Sequence, residues 1–212
     1  MRIRTIFLVD GFNIYHSVVD IAHHFSGLSL KWLDIYSLCN SFLHLVGKNA
    51  ALECVYYFSA LAYHLNDPSV IARHKSYIKC LRETGIKVQL SRFKPKTIKC
   101  PYCEKRIIRH EEKETDVAIA ATLFTVLHKD ECDCVVLMTG DTDLASAVRT
   151  AKILFPRKHI IFAFPYKRHN RELQNLAPGS FKIHKNSYVR HQLPDPFPLS
   201  DGTQIQKPPC WQ

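Results

Sequence analysis

The strongest constraint on the fold is an alternation of short, strand-like segments with stretches of helical periodicity. Arg4–Val9, Glu53–Ser59, Lys87–Phe93, Cys134–Met138 and His159–Phe164 are rich in β-branched and aromatic residues and too short for buried helices. A weaker segment of the same kind lies at Phe181–His184. Between them, apolar residues recur at helical spacing. They run from Trp32 through Ile35, Leu38, Cys39 and Phe42 to Leu45, then over Ile71–Leu81, Val117–Leu127 and Leu144–Ala151. Pro68-Ser69 suits the start of the second of these. Nearly continuous apolar strands separated by helices predict an α/β fold with a mostly parallel sheet, because such strands are covered on both faces.

Two segments interrupt the alternation. Residues 94–110 contain Cys100-Pro-Tyr-Cys103 and read as a small inserted loop or hairpin. From about His191 the chain carries Pro194, Pro196, Pro198, Pro208 and Pro209 with few large apolar residues. We therefore expect one domain over residues 1–190 and an extended or disordered tail over 191–212. With 212 residues, 46% of them hydrophobic, the chain has material for a sizeable core, which excludes a mainly disordered protein and a disulfide-stapled miniprotein. The run Thr5–Val9 ends at Asp10, too short for a signal sequence, and nothing approaches the ~20 apolar residues of a membrane span. A cytoplasmic protein without membrane association is expected, its eight cysteines serving as free thiols or metal ligands rather than disulfides.

The formal net charge of +10 is unevenly spread. Residues 1–72 carry 4 basic and 5 acidic side chains, and residues 73–109 carry 12 and 2. Residues 110–143 carry 2 and 9, and residues 144–212 carry 11 and 3. An acidic segment thus lies between two basic ones. Solvated helix faces would give such a pattern, and so would a carboxylate site flanked by phosphate-contacting surface.

In parallel α/β sheets ligands sit beyond the C-terminal strand ends. The first strand runs into Asp10-Gly11-Phe12-Asn13, the fourth into Thr139-Gly140-Asp141-Thr142-Asp143, and the helix starting near Glu114-Thr115-Asp116 should begin at the same edge. Asp10, Asn13, Asp116, Asp141 and Asp143 are therefore expected together. Each alone is a reasonable helix cap, but one cap needs one side chain, and Asp141 with Asp143 exceeds that. Clustered carboxylates repel one another and suit a hard divalent cation, which lowers the pKa of bound water and neutralises charge on a phosphoryl transition state.

These three motifs, in this order, resemble the NYN domain, a family of the PIN-like nuclease superfamily. The likeness spans roughly residues 3–165. It implies a three-layer α/β/α Rossmann-like sandwich, a Mg²⁺- or Mn²⁺-dependent site and ribonuclease activity. By motif match, the ligands are Asp10, Asp116, Asp141 and Asp143, supported by Asn13. Where the family often has an aromatic residue after the second aspartate of G-D-x-D, this chain has Leu144, a difference of packing more than of metal chemistry.

Cys100 and Cys103 form half of a structural Zn²⁺ site, with His110 and Glu111 or Glu112 as nearby complements, or else two reduced thiols in a short hairpin. Cys132 and Cys134 are poor complements: a helix from Asp116 to His128 spans about 20 Å and should place Cys132 at the opposite sheet edge. Arg92, Lys94, Lys96, Arg106 and Arg109 around the insertion, and Lys167, Arg168 and Arg171 after the fifth strand, lie with Phe93, Tyr102 and Tyr166 at the edge of the aspartates. Basic side chains interleaved with aromatics suit single-stranded RNA. His16, His23 and His24 follow Asn13 and read as surface or packed histidines, His16 being the one able to reach the site. Glu114 ranks below the aspartates. Two competing readings keep the fold, a non-catalytic RNA-binding or scaffold module and a DNA nuclease; a homo-oligomer or a protein partner is left open.

Overall fold

A computed structural model describes residues 2–23, 29–65, 67–100 and 102–211, the side chain of Arg109 excepted. Nine strands and eight α-helices appear among them: β1 (Ile3–Asp10), α1 (Gly11–Ala22), α2 (Ile35–Ser41), α3 (Leu43–Val46), β2 (Ala50–Ala60), α4 (Pro68–Glu83), β3 (Lys87–Lys99), β4 (Arg106–Lys113), α5 (Thr115–His128), β5 (Cys134–Met138), α6 (Ala145–Leu154), β6 (His159–Phe164), α7 (Arg171–Leu176), β7 (Phe181–Lys182), α8 (Lys185–Arg190), β8 (Phe197–Pro198) and β9 (Gln204–Ile205).

Seven strands form one sheet in the order β4-β3-β2-β1-β5-β6-β7. All its pairings are parallel except β3–β4. Alternate side chains of each central strand point to opposite faces. Phe7, Val9, Val136 and Met138 join one apolar cluster, with Ile14, Val18 and Ile21 of α1, Leu38 of α2 and Leu81 of α4. Ile6, Leu8, Val135 and Leu137 join the other, with Leu123 of α5, Val148 of α6 and Leu173 of α7. The result is the expected three-layer α/β/α arrangement.

The insertion is a hairpin. β3 continues past Phe93 to Lys99 and returns as β4, with Arg92 opposite Lys113 and Lys99 opposite Arg106. It leaves and re-enters the sheet at the C-terminal edge, so α5 starts there. The helical periodicity of 32–45 is divided into α2 and α3 at Phe42.

At the opposite edge, Arg4 clips β1 to the start of β5. Its backbone N–H donates to Asp133 Oδ2 at 2.9 Å, and its guanidinium donates to both carboxylate oxygens, at 3.2 and 2.8 Å. These bonds hold the Asp133 carboxyl down at about 2. Buried Cys132 lies at this edge too, as the length of α5 predicts.

The tail departs from expectation. Leu193, Phe197 and Leu199 are buried in the α1-side cluster. The segment is strapped down by Leu193 N–H to Trp32 O (2.9 Å) and Trp32 Nε1–H to Pro194 O (3.0 Å). Composition misleads here because the apolar residues are few but each one is inserted. The prolines, which lack N–H donors, lose little in a strap with almost no ladder bonds.

Candidate metal centre

The connectivity creates the crevice. β1 and β5 are adjacent and parallel. The helix after β1 packs on one face of the sheet, and the helix after β5 packs on the other. Their starts therefore diverge, which is the switch point where α/β sheets bind ligands.

Asp10 ends β1 and caps α1. Its Oδ1 accepts the N–H groups of Phe12 (3.0 Å) and Asn13 (3.1 Å); its Oδ2 accepts the Asn13 amide and the Thr139 hydroxyl (2.9 Å). The residue is 3% exposed. Burial raises its pKa, and the bonds from Asn13, Thr139 and Phe12 oppose that rise. Asn13 Oδ1 in turn accepts Gly140 N–H at 3.1 Å, and Thr139 Oγ1 accepts Asp141 N–H at 3.1 Å. Asp10 thus ties the β1 turn to the β5 turn.

Gly140 is required by close approach. A Cβ there would stand 1.9 Å from the Arg168 carbonyl oxygen. At Gly11 a Cβ would meet Phe58 O at 2.6 Å and the Tyr57 ring at 2.7 Å.

Asp141 caps the short turn Thr142–Leu144, accepting Asp143 N–H at 3.0 Å. Asp116 lies in the first turn of α5. Asp116, Asp141 and Asp143 each bring a carboxylate oxygen within 4.8 Å of the other two. The Asp116 carboxyl is pushed up to about 6, first by partial burial, then by Asp141, Asp10, Glu112 and Asp143. Hard oxygen donors gathered round a carboxyl whose proton affinity is raised by burial and by its neighbours' charge fit a divalent cation, which would relieve the repulsion.

Of the four aspartates expected as ligands, three converge. Asp10 stands outside the trio, near enough to act on Asp116 but with both oxygens engaged by protein donors. Asn13 bridges Asp10 and Gly140 rather than reaching the trio. Glu114 turns to Arg92 (3.1 Å) and Lys94 (3.3 Å). Leu144 is buried in the α5-side cluster. The roles of two residues were missed, Glu112 having been read only as a complement to Cys100 and Cys103. Thr139 links Asp10 to Asp141. Glu112 accepts the N–H and the hydroxyl of Thr115, holding the start of α5. Thr139 stands in the T-G-D-x-D run, the one available signal; Glu112 had none.

Zinc ligation through His110 is not supported by the register. His110 pairs with Pro95, four positions from the Lys99–Arg106 pair that closes the hairpin, about 14 Å along the strand. His110 instead stacks on His64, with ring centroids 4.7 Å apart. Among the described residues no set of three or more candidate ligands includes Cys100 or Cys103. Cys100 is half-buried and Cys103 exposed.

The basic residues are largely occupied by surface pairs. Lys96 meets Glu111 at 2.7 Å, Arg168 meets Asp20 at 2.7 Å, and Lys167 lies 5.8 Å from the centre of the Tyr166 ring. Arg106 and Arg171 are exposed, the Arg109 side chain and His24 lie outside the described residues, and His16 lines a neighbouring cavity. Exposed pairs of this kind contribute little and exchange readily for phosphates.

The family model of the NYN domain matches residues 4–184. The chain belongs to the NYN domain family. A crystal structure of a protein of unknown function from Vibrio parahaemolyticus is similar in fold to this NYN domain, with a TM-score of 0.55. The two are 18% identical, over 86% of this chain and 94% of that one, a likeness that concerns the fold alone. No curated protein matches the chain. NYN domains are generally nuclease-like and nucleic-acid-related, usually with divalent metals, and among the described residues the acidic trio could bind one. No helix among the described residues is long and apolar enough to cross a membrane.

Proposed function

We propose that this NYN domain is a Mg²⁺- or Mn²⁺-dependent ribonuclease acting on single-stranded RNA. The observation that carries the reading is the convergence of Asp116, Asp141 and Asp143 at the β1/β5 switch point, where partial burial first, and then the neighbouring carboxylates, raise the Asp116 pKa to about 6. These three would hold the cation, which when bound activates water and offsets negative charge on phosphorus. Asp10, through Asn13 and Thr139, keeps the turns carrying Asp141 and Gly140 in register. Arg92, Lys94, Lys96, Arg106 and Arg109 of the hairpin, with Lys167, Arg168 and Arg171 across the crevice, grip the phosphates. Cytoplasmic RNA is the expected substrate.

The test is cleavage of labelled single-stranded RNA and DNA with Mg²⁺, Mn²⁺ or EDTA. RNA should be cut only with metal, and Asp141→Asn should abolish cutting while RNA binding survives. Binding without cutting in the wild type would establish the scaffold reading instead. Cutting of DNA alone would overturn the substrate. Equal cutting by wild type and Asp141→Asn would assign the activity to a contaminant.

A further inference from the structure

Over the C-terminal ends of β1 and β2, and against Phe93 in the middle of β3, lies a cavity of about 560 Å³. Its size is that of a small-molecule site. Gly11 and Phe12, which directly follow Asp10, line it, and so does Glu112, one of the groups that acts on Asp116. Glu112 and the turn after Asp10 therefore connect the cavity to the surroundings of Asp116, although no member of the trio lines it.

The remaining lining is aromatic with a few polar atoms. Tyr57, Phe93 and Trp211 supply rings. Ser59, at the end of β2, is hydrogen-bonded to the Tyr57 hydroxyl, and its Oγ stands 3.5 Å from His74 Nε2 of α4. Burial lowers the His74 pKa, so the imidazole is neutral and offers one donor and one acceptor. Also in the wall, His64 Nδ1 is buried without a hydrogen-bond partner among the described residues. A buried polar atom left unpaired is costly. Lys31 and Arg73 add positive charge.

Flat apolar faces, a small set of edge-reading polar atoms and nearby cations together match one ligand chemistry. We propose that the cavity receives a single nucleobase of the bound strand, unstacked from its neighbours and adjacent to the phosphate presented to Asp116, Asp141 and Asp143. Stacking on the rings supplies affinity, and His64, His74 and Ser59 address the base edge. The inference rests on the ribonuclease reading and deepens it: cleavage would be positioned relative to one captured base.

Binding measured in EDTA separates the two, since it requires no catalysis. Fluorescence anisotropy is recorded with a labelled RNA pentanucleotide and with the same strand made abasic at each position in turn. One abasic position should weaken binding to the wild type by roughly tenfold. Val70→Trp, which fills the cavity from the start of α4, and Phe93→Ala, which removes a wall, should weaken the intact strand similarly and abolish the abasic penalty. Unchanged melting temperatures of the two variants certify their folds. The proposal is overturned if every abasic strand binds as tightly as the intact one, if both variants bind like wild type, or if no strand binds. Competition by adenosine or uridine monophosphate at the concentration of the pentanucleotide would also overturn it, identifying the occupant as a free nucleotide. Base capture without cleavage would refute the ribonuclease reading alone.

Discussion

Replacing Asp116 by asparagine should make the metal-free protein more stable at neutral pH. The Asp116 carboxyl titrates at about 6 in the fold against an ordinary value of 3.8. The folded chain holds this proton more tightly than the unfolded one. The stabilisation from protonation is therefore fully present below about pH 4 and is lost as the pH rises through about 6. A shift of about 2 units corresponds to about 3 kcal/mol as a ceiling, at about 1.4 kcal/mol per unit. Two effects reduce it. Asp116 is partly open to solvent, which screens the repulsion. It also sits in the first turn of α5, where a negative charge gains about 0.3–1 kcal/mol from the helix dipole. A net gain of about 1–2 kcal/mol remains for Asp116→Asn at pH 7.5, or about 4 °C in melting temperature for a chain of this size. Thermal unfolding followed by circular dichroism in EDTA, at pH 4 and pH 7.5, reads it directly. The gap should close at pH 4, and Mg²⁺ should raise the wild-type melting temperature more than the variant's. A variant no more stable than wild type at pH 7.5 in EDTA would refute the argument that burial and neighbouring carboxylates disfavour the charged form of Asp116.

Gly140→Ala should destabilise the fold by more than about 2 kcal/mol, because its Cβ meets backbone at 1.9 Å rather than a side chain able to rotate away; denaturant unfolding with an unchanged midpoint would contradict the observed approach of the two loops. Asp133→Ala should cost about 1 kcal/mol at pH 7, a modest figure because the pair is well exposed. Since the Asp133 pKa is depressed, that contribution is present above about pH 4 and fades as the pH falls toward about 2. A wild-type-minus-variant difference that stays constant from pH 7 to pH 2.5 would show that the Arg4 bridge contributes nothing.

The aspartates of the trio were legible because two simple rules act together. Parallel strands deliver the residues after them to one edge, and a G-D-x-D run provides more carboxylates than capping uses. The strands were legible for a similar reason: β-branched and aromatic residues on a sheet covered by helices on both sides leave a run that only a buried strand explains. What local pattern does not encode is pairing across distance. Arg92 and Lys94 read as free cations until the β3–β4 hairpin and the left-handed turn at Glu114 bring that carboxylate to them. His110 reads as a neighbour of Cys103 until the register is known, because a long hairpin moves residues seven apart to different rungs. Thr139 gives no outward sign that its hydroxyl both donates to Asp10 and accepts from Asp141. The strap from 193 to 199 was misread because composition counts apolar residues, whereas docking depends on whether each finds a slot.

That strap bears on the order in which the chain can mature. Trp32 and its cluster are made early in synthesis, yet the partners that close over them, Leu193, Phe197 and Leu199, emerge more than 150 residues later. Until then α1, α2 and α4 cover only part of the apolar cluster on their side of the sheet and the region around Trp32 lacks its cover, while the α5–α6 side can already be sealed by helices close in sequence to their strands. A fragment stopped at residue 184, where the family match ends, would keep all four aspartates and lose this closure. It would be prone to aggregation in spite of an intact acidic trio, so solubility and activity would part company along the length of the chain.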